Sequence, residues 1–318
     1  MPSKTWPKTA MIGYIDCAAI GAVREITEQQ VKAYNVVIFC FANEDGTLPT
    51  TPPYQDFIND VVRIKQWQKP GTINLLSIGG AIGDAQIRPD EVSQTVNNLM
   101  KSIAELDLDG IDIDIEQAGI PVQDLFTFSK LLRQALDQVS GYLTCAPILA
   151  GTNEKPTLIT PNGGPSWEPI YGPQGVAFDA INVQAYNSGP MFSYTDPATG
   201  ELVSETSADI VRAAYNALQQ RGNIHAQSRI AIGVPCDPAS AHSESNCWNL
   251  GEPAEETATR LVQNVEAIKE GLYGIDNSAF AGLMTWSISN DAYFSRPKGY
   301  FASKVASKVS TMNANELA

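Results

Sequence analysis

From Ile111 to Glu116 the chain alternates apolar and acidic residues without a break: Ile111, Asp112, Ile113, Asp114, Ile115, Glu116. A period of two belongs to a strand and not to a helix. It sends the isoleucines to one face and the carboxylates to the other. An ordinary half-buried strand carries mixed polar residues on its wet face. A face made only of carboxylates breaks that local rule, as functional sites do.

The stretch is one of eight strand-like segments. The others are Met11 to Asp16, Val36 to Ala42, Ile73 to Ile78, Tyr142 to Ile148, Ala180 to Tyr186, Arg229 to Val234 and Ala281 to Ile288. Helical patterns lie between them, including Tyr54 to Trp67, Asp90 to Leu106, Pro121 to Val139, Ala208 to Gln220 and Ala254 to Gly271. A final short helix begins near Ser303. The order βαβα implies parallel strands. Val36 to Phe41 is apolar on both faces, which fits a sheet covered by helices. Eight strands favour closure into a (β/α)₈ barrel over an open sheet. With 318 residues and no linker or shift of composition, one domain over residues 1–318 is expected. The segment from Cys236 to Ala281 has room for a loop and a helix but not for an inserted domain.

In such a barrel the C-terminal strand ends face the active site. Glu116 ends the fourth strand, with Asp114 and Asp112 below it. Neighbours on one face are about 6.6 Å apart. At an effective dielectric of 20 their charges repel by about 2.5 kcal/mol, nearly 2 pKa units. One carboxyl group is therefore expected to stay protonated near pH 7, as a general acid must. The alternative is a few acids on a solvated strand face. Asp112-x-Asp114 also resembles a Mg²⁺ pair of nucleotide-sugar transferases, but no Gly-rich phosphate loop with a Lys accompanies it. The spacing misses the calcium-loop pattern.

Charge and composition exclude several partners. The net charge of −14 argues against nucleic acid and anionic membranes. No apolar run approaches the roughly 20 residues of a membrane span. Met1 to Ala10 holds no apolar signal-peptide core. The five cysteines are widely spaced and match neither a zinc motif nor a disulfide scaffold. Cys17, Cys40 and Cys145 read as core fillers, whereas Cys236 and Cys247 flank one loop and could form a disulfide. No Asn-x-Ser/Thr acceptor occurs.

Asp109-x-x-Asp112-x-Asp114-x-Glu116 resembles the DxxDxDxE signature of glycoside hydrolase family 18. Ser77-x-Gly79-Gly80 is similar to the family's SxGG on the third strand. Gln184-Ala185-Tyr186-Asn187 resembles the QxYN of the hevamine-like branch. Gly282-Leu283-Met284-Thr285-Trp286 resembles the strand that carries the subsite-floor tryptophan, and Tyr14 and Phe41 sit where strands one and two carry aromatics. The resemblance implies a (β/α)₈ chitinase or endo-β-N-acetylglucosaminidase in which the substrate assists. Glu116 would be the general acid and base. Asp114 would hold the acetamido N–H, Asp112 would share a proton with Asp114, and Tyr186 would orient the acetamido carbonyl. Trp286 would stack under the sugar, with Gln184, Asn187, Gly80 and Ala81 lining the pocket. No metal or organic cofactor is implied. The partners implied are chitin or N-acetylglucosamine oligosaccharides, met by a monomer outside the cell, with a cytoplasmic location as the alternative. Asn187, where many members carry Asp, implies a more acidic pH optimum. The missing insertion domain implies a shallow, endo-acting cleft. A catalytically dead lectin on the same barrel is the rival from another class, but such proteins usually lose the terminal acid.

The remaining signals are structural or two-sided. Asp109 lies off the acidic face and reads as a structural residue where the strand begins. Gly79 to Gly83 lacks the spacing of a phosphate loop. His225 and His242 have no partner pattern around them. There is no G-x-S-x-G elbow. Trp67 ends an amphipathic helix and reads as packing. Trp167 and Trp248 fall in loops on the site side of the barrel, where each either stacks on outer sugars or anchors its loop.

Overall fold

The computed structural model describes residues 4–82, 87–152, 155–188, 193–248 and 252–312. Among these, the strands are β1 (Ala10–Asp16), β2 (Val36–Ala42), β3 (Ile73–Gly79), β4 (Gly110–Asp114), β5 (Tyr142–Cys145), β6 (Ile148–Gly151), β7 (Pro156–Ile159), β8 (Ala180–Gln184), β9 (Ser193–Thr195), β10 (Leu202–Ser204), β11 (Ile230–Pro235) and β12 (Phe280–Trp286). Strands β1, β2, β3, β4, β5, β8, β11 and β12 pair in parallel in that order, and β12 pairs with β1. The sheet is a closed eight-stranded barrel.

Alternation along each strand sorts its residues between two cores. On β1, Met11 and Ile15 pack outward against the helices, while Ala10, Ile12 and Tyr14 fill the barrel. On β2, Val37 and Phe39 point out, and Val36, Ile38 and Cys40 point in. On β4, Ile111, Ile113 and Ile115 join the outer core, so Asp112 and Asp114 face the interior. The helices meet the outer core with one stripe. On Val122–Asp137 the buried residues are Leu125, Phe128, Ser129, Leu132 and Leu136, a helical spacing.

The fourth, fifth, sixth and eighth strands end earlier than expected, at Asp114, Cys145, Gln184 and Trp286. The fifth, read as Tyr142 to Ile148, ends at Cys145. Ala146 still donates to Ile113 O (2.9 Å), but Pro147 has no N–H to continue the ladder. The chain instead enters the antiparallel hairpin β6–β7. The fourth stops at Asp114, so Glu116 stands just past the strand end. A second hairpin, β9–β10, was not expected. Between β11 and β12 the described residues form two 3-10 turns, the helix Ala254–Lys269 and a further turn at Leu272–Gly274. No described helix is long and apolar enough to cross a membrane.

The loop residues resolve as follows. Trp167 is fully buried and its Nε1 donates to Thr160 Oγ1 (2.8 Å). Trp248 is buried, donates to Pro235 O (2.7 Å) and packs edge-on against Tyr300 and Phe301. Both anchor loops, because ring and N–H are already engaged. Trp67 lies half-buried under the Arg63 guanidinium. Cys236 and Cys247 are free and buried, as are the other three cysteines. Cys236 Sγ lies 3.2 Å from Ser240 Oγ instead of facing Cys247. Asp109 accepts from Asn74 N (2.7 Å) and pairs with Lys4 (2.6 Å) at the base of β4.

Candidate active site

Asp112 is fully buried, and four other strands of the barrel supply its donors. Tyr14 OH (3.0 Å), Ser77 Oγ (2.8 Å), Thr144 Oγ1 (2.5 Å) and Asn182 Nδ2 (3.4 Å) all point at its carboxylate. These bonds favour the charged form, yet burial outweighs them and raises the pKa. One layer higher, Asp114 accepts from Gln184 Nε2 (3.2 Å) and is hydrogen-bonded to Glu116. Gln184 is itself oriented by a bond to Ala146 O (2.9 Å). Burial, then the charges of Glu116 and Asp112, drive the Asp114 carboxyl well above the ordinary range. Burial also raises Glu116, against hydrogen bonds from Gln184 and Asp114. The pair therefore holds a proton to higher pH than an ordinary carboxyl does. Repulsion along the strand contributes, but desolvation is the larger cause.

Above this pair opens a pocket of about 180 Å³. Its wall includes Glu116, Asp114, Tyr186, Gln184, Asn187 and Trp286, with Tyr14, Phe41 and Ala81. Trp286 lies roughly parallel to Phe41, with centroids 6.4 Å apart, and is tilted against Tyr14 at 5.9 Å. Tyr186 is buried, and its hydroxyl is driven up by burial and then by the charges of Asp114 and Glu116. Asn187 has φ +61, a conformation that Asn tolerates better than most residues. Its Oδ1 accepts from His242 N (2.8 Å), and its own N–H reaches Ser245 O (3.3 Å). His242 thus serves through its backbone, and the His225 ring accepts at Nδ1 from Gln227 N (3.2 Å).

Two expected pocket residues sit elsewhere. Gly80 lies behind Phe41, whose ring comes within 2.5 Å of where a Cβ would stand. Phe41 therefore covers it, and Ala81 takes the surface. Asp112 lies beneath the pocket and touches Asp114 only through space. The carboxyl hydrogen-bonded to Asp114 is Glu116, while four donors hold Asp112 in place.

Several residues join the site that sequence reasoning missed. Asp16, Ala18, Tyr54, Ile82, Ala146 and Met284 complete the lining. Asp16 carried a signal, since it ends β1 two residues beyond the inward Tyr14. Thr144 and Asn182 carried one too, as polar residues inside apolar strands. Tyr54 carried none, because it comes from the segment before a helix. Among the described residues no group of three His, Cys, Asp or Glu side chains is arranged to hold a metal ion.

Comparisons with known proteins agree with this geometry. Residues 10–247 match the family described as "Glycosyl hydrolases family 18". A chitinase of Enterococcus faecalis is 26% identical over 271 residues, covering 82% of this chain and 72% of that protein. A chitinase of Paenibacillus xylanexedens is 25% identical over 318 residues, covering 89% of this chain and 58% of that protein. The chain thus spans little more than half of that second relative. A chitinase variant of Cycas revoluta, solved in complex with (GlcNAc)4, superposes with a TM-score of 0.62 at 13% identity, over 95% of this chain and 99% of that one. At that identity the likeness is one of fold.

Proposed function

The chain belongs to glycosyl hydrolases family 18, and from that membership we propose that it is an endo-acting chitinase cutting β-1,4-linked N-acetylglucosamine polymers with retention. The observation that carries this reading is the buried Asp114–Glu116 carboxyl pair, which faces Tyr186 and Trp286 across one pocket. Glu116, at the strand end, gives its proton to the glycosidic oxygen as the bond to the anomeric carbon breaks. The carbonyl oxygen of the substrate's own acetamido group attacks that carbon, and an oxazolinium ion forms. Asp114 accepts the acetamido N–H and offsets the developing positive charge. Tyr186 OH donates to the acetamido carbonyl, and Asp112, below, shares a proton with Asp114 as it turns. Glu116 then takes a proton from water, which attacks the anomeric carbon from the side the leaving group left, while the bond from that carbon to the acetamido oxygen breaks and the neutral acetamido group is restored.

Trp286 carries the sugar over its ring, with Phe41 and Tyr14 beside it. The connection between β11 and β12 raises no wall from its described residues, which supports cutting within a chain. The protein acts as a monomer on chitin or its oligosaccharides, outside the cell where the polymer is met.

The test offers the purified protein an N-acetylglucosamine hexasaccharide and a high-mannose glycoprotein. Proton NMR follows the first anomer released. The expected result is oligosaccharide cleavage with the β-anomer appearing first. A first α-anomer overturns the retaining mechanism. Trimming of the glycoprotein alone replaces chitin by N-glycan as the substrate, and binding without turnover replaces the enzyme by a lectin.

A further inference from the structure

Asp16 lines the same pocket, but the mechanism above gives it no task. Alternation places Ile12, Tyr14 and Asp16 on one face of β1, so Asp16 stands one layer above Tyr14 at the barrel mouth. The strands on either side, β2 and β12, bring Phe41 and Trp286 to the same mouth. Its carboxylate is held by Ala18 N (3.0 Å) and by the backbone N–H of Ala19. A carboxylate offers about four acceptor sites, so capacity remains toward the pocket. Ala18, Tyr54, Ala81 and Ile82 are the other lining residues that come from the loops after β1, β2 and β3.

Among the described residues no Lys, Arg or His lines this pocket, and none forms an ion pair with Asp16. Burial accordingly raises its pKa against the backbone hydrogen bonds. Every other ionisable group among the described wall residues is a carboxyl or a phenol, on a chain of net charge −14. A half-buried carboxylate without a cation is unfavourable by itself and is relieved by one brought from outside. A fully acetylated sugar presents only neutral N–H and O–H donors. A glucosamine unit presents an ammonium at C2, and a charge-assisted bond is roughly twice as strong. The sugar over Trp286 cannot be that unit, because its acetamido group is the nucleophile.

We propose that Asp16 is a specificity-determining residue, which binds the ammonium of a glucosamine unit when the chain offered is partly de-N-acetylated chitin. The proposal rests on the function given above. It requires an acetylated unit at the cut and a deacetylated unit at the ring that meets Asp16.

The experiment compares the fully acetylated hexasaccharide with a half-acetylated chitosan, using wild type, Asp16→Asn and Asp16→Glu. Asp16→Asn keeps an Oδ1 acceptor for Ala18 and removes only the charge. The ratio of kcat/KM on chitosan to that on the hexasaccharide should fall about tenfold in Asp16→Asn and recover in part in Asp16→Glu. Mass-spectrometric sequencing of wild-type products should place glucosamine at a fixed distance from the cut, and Asp16→Asn should scatter it. A ratio and a product pattern both indifferent to Asp16→Asn overturn the proposal while leaving the chitinase reading intact. A wild type that cleaves neither substrate overturns that reading, and this inference with it.

Discussion

At the scale of single residues, Glu116 and Asn187 make separable predictions. Glu116→Gln keeps size and hydrogen bonding but carries no transferable proton. Turnover of the hexasaccharide should drop about a thousandfold, with oligosaccharide binding retained by calorimetry. Undiminished turnover would remove Glu116 from the mechanism. Asn187→Asp keeps the acceptor for His242 N and adds a negative charge at the pocket wall. That charge penalises loss of the proton from the Asp114–Glu116 pair, so the acid form persists to higher pH. The alkaline limb of the kcat/KM profile should move up, and a shift to lower pH would contradict the placement. What the sequence made legible here was direction. Strict alternation put Asp112, Asp114 and Glu116 on one face, and the family motif assigned them roles. The donors that hold Asp112 were not legible as a set, because they come from β1, β3, β5 and β8 and meet only when the barrel closes. The same holds for the covering of Gly80 by Phe41.

At the scale of elements, the junction of β3 and β4 sets the height of the catalytic layer. Gly79 has φ +119, and a Cβ there would lie 2.2 Å from Asp114 O. The adjacent Gly80 N–H donates to that same carbonyl (2.7 Å). The sequence shows two glycines but not that one carbonyl of the acidic strand is what they accommodate. Gly79→Ala should therefore push Asp114 out of line. It should cost about 3 kcal/mol in denaturant unfolding and most of the activity. Gly163→Ala is the control, since its φ is +79 with nothing within 4 Å of the added Cβ. It should cost about 1 kcal/mol and spare turnover. Equal costs would mean that positive φ, not the contact with β4, is what matters at Gly79. Element prediction failed where strands are short. The pieces β6, β7, β9 and β10 hold three or four residues each, too few for periodicity to declare itself.

At the scale of the whole molecule, the barrel was legible because eight apolar segments alternate with amphipathic ones, and closure follows from that count. The number of carboxylates buried without a cation was not legible, since composition reports charge but not depth. Asp112, Asp114, Glu116, Glu205 and Asp291 are all raised by burial. Glu205, only 1% exposed, follows β10 and accepts from Ser188 N (3.1 Å) behind the Asn187 wall. Burial pushes it from 4.5 up to about 7. An acid with a raised folded-state pKa binds its proton more tightly folded than unfolded. Its contribution to stability is complete below the unfolded value and is lost as pH rises through the folded one. For Glu205 the window runs from 4.5 to about 7 and the loss is about 3 kcal/mol. Asp196, lowered mainly by its bonds to Arg212, acts in the opposite sense but only below its ordinary 3.8. Unfolding by denaturant should therefore show the protein more stable at pH 5 than at pH 8. Glu205→Gln should reduce that difference by about 3 kcal/mol, because the glutamine keeps an acceptor for Ser188 N and never ionises. A pH dependence as steep in Glu205→Gln as in wild type would show that the other buried carboxylates, or the net charge itself, set the slope.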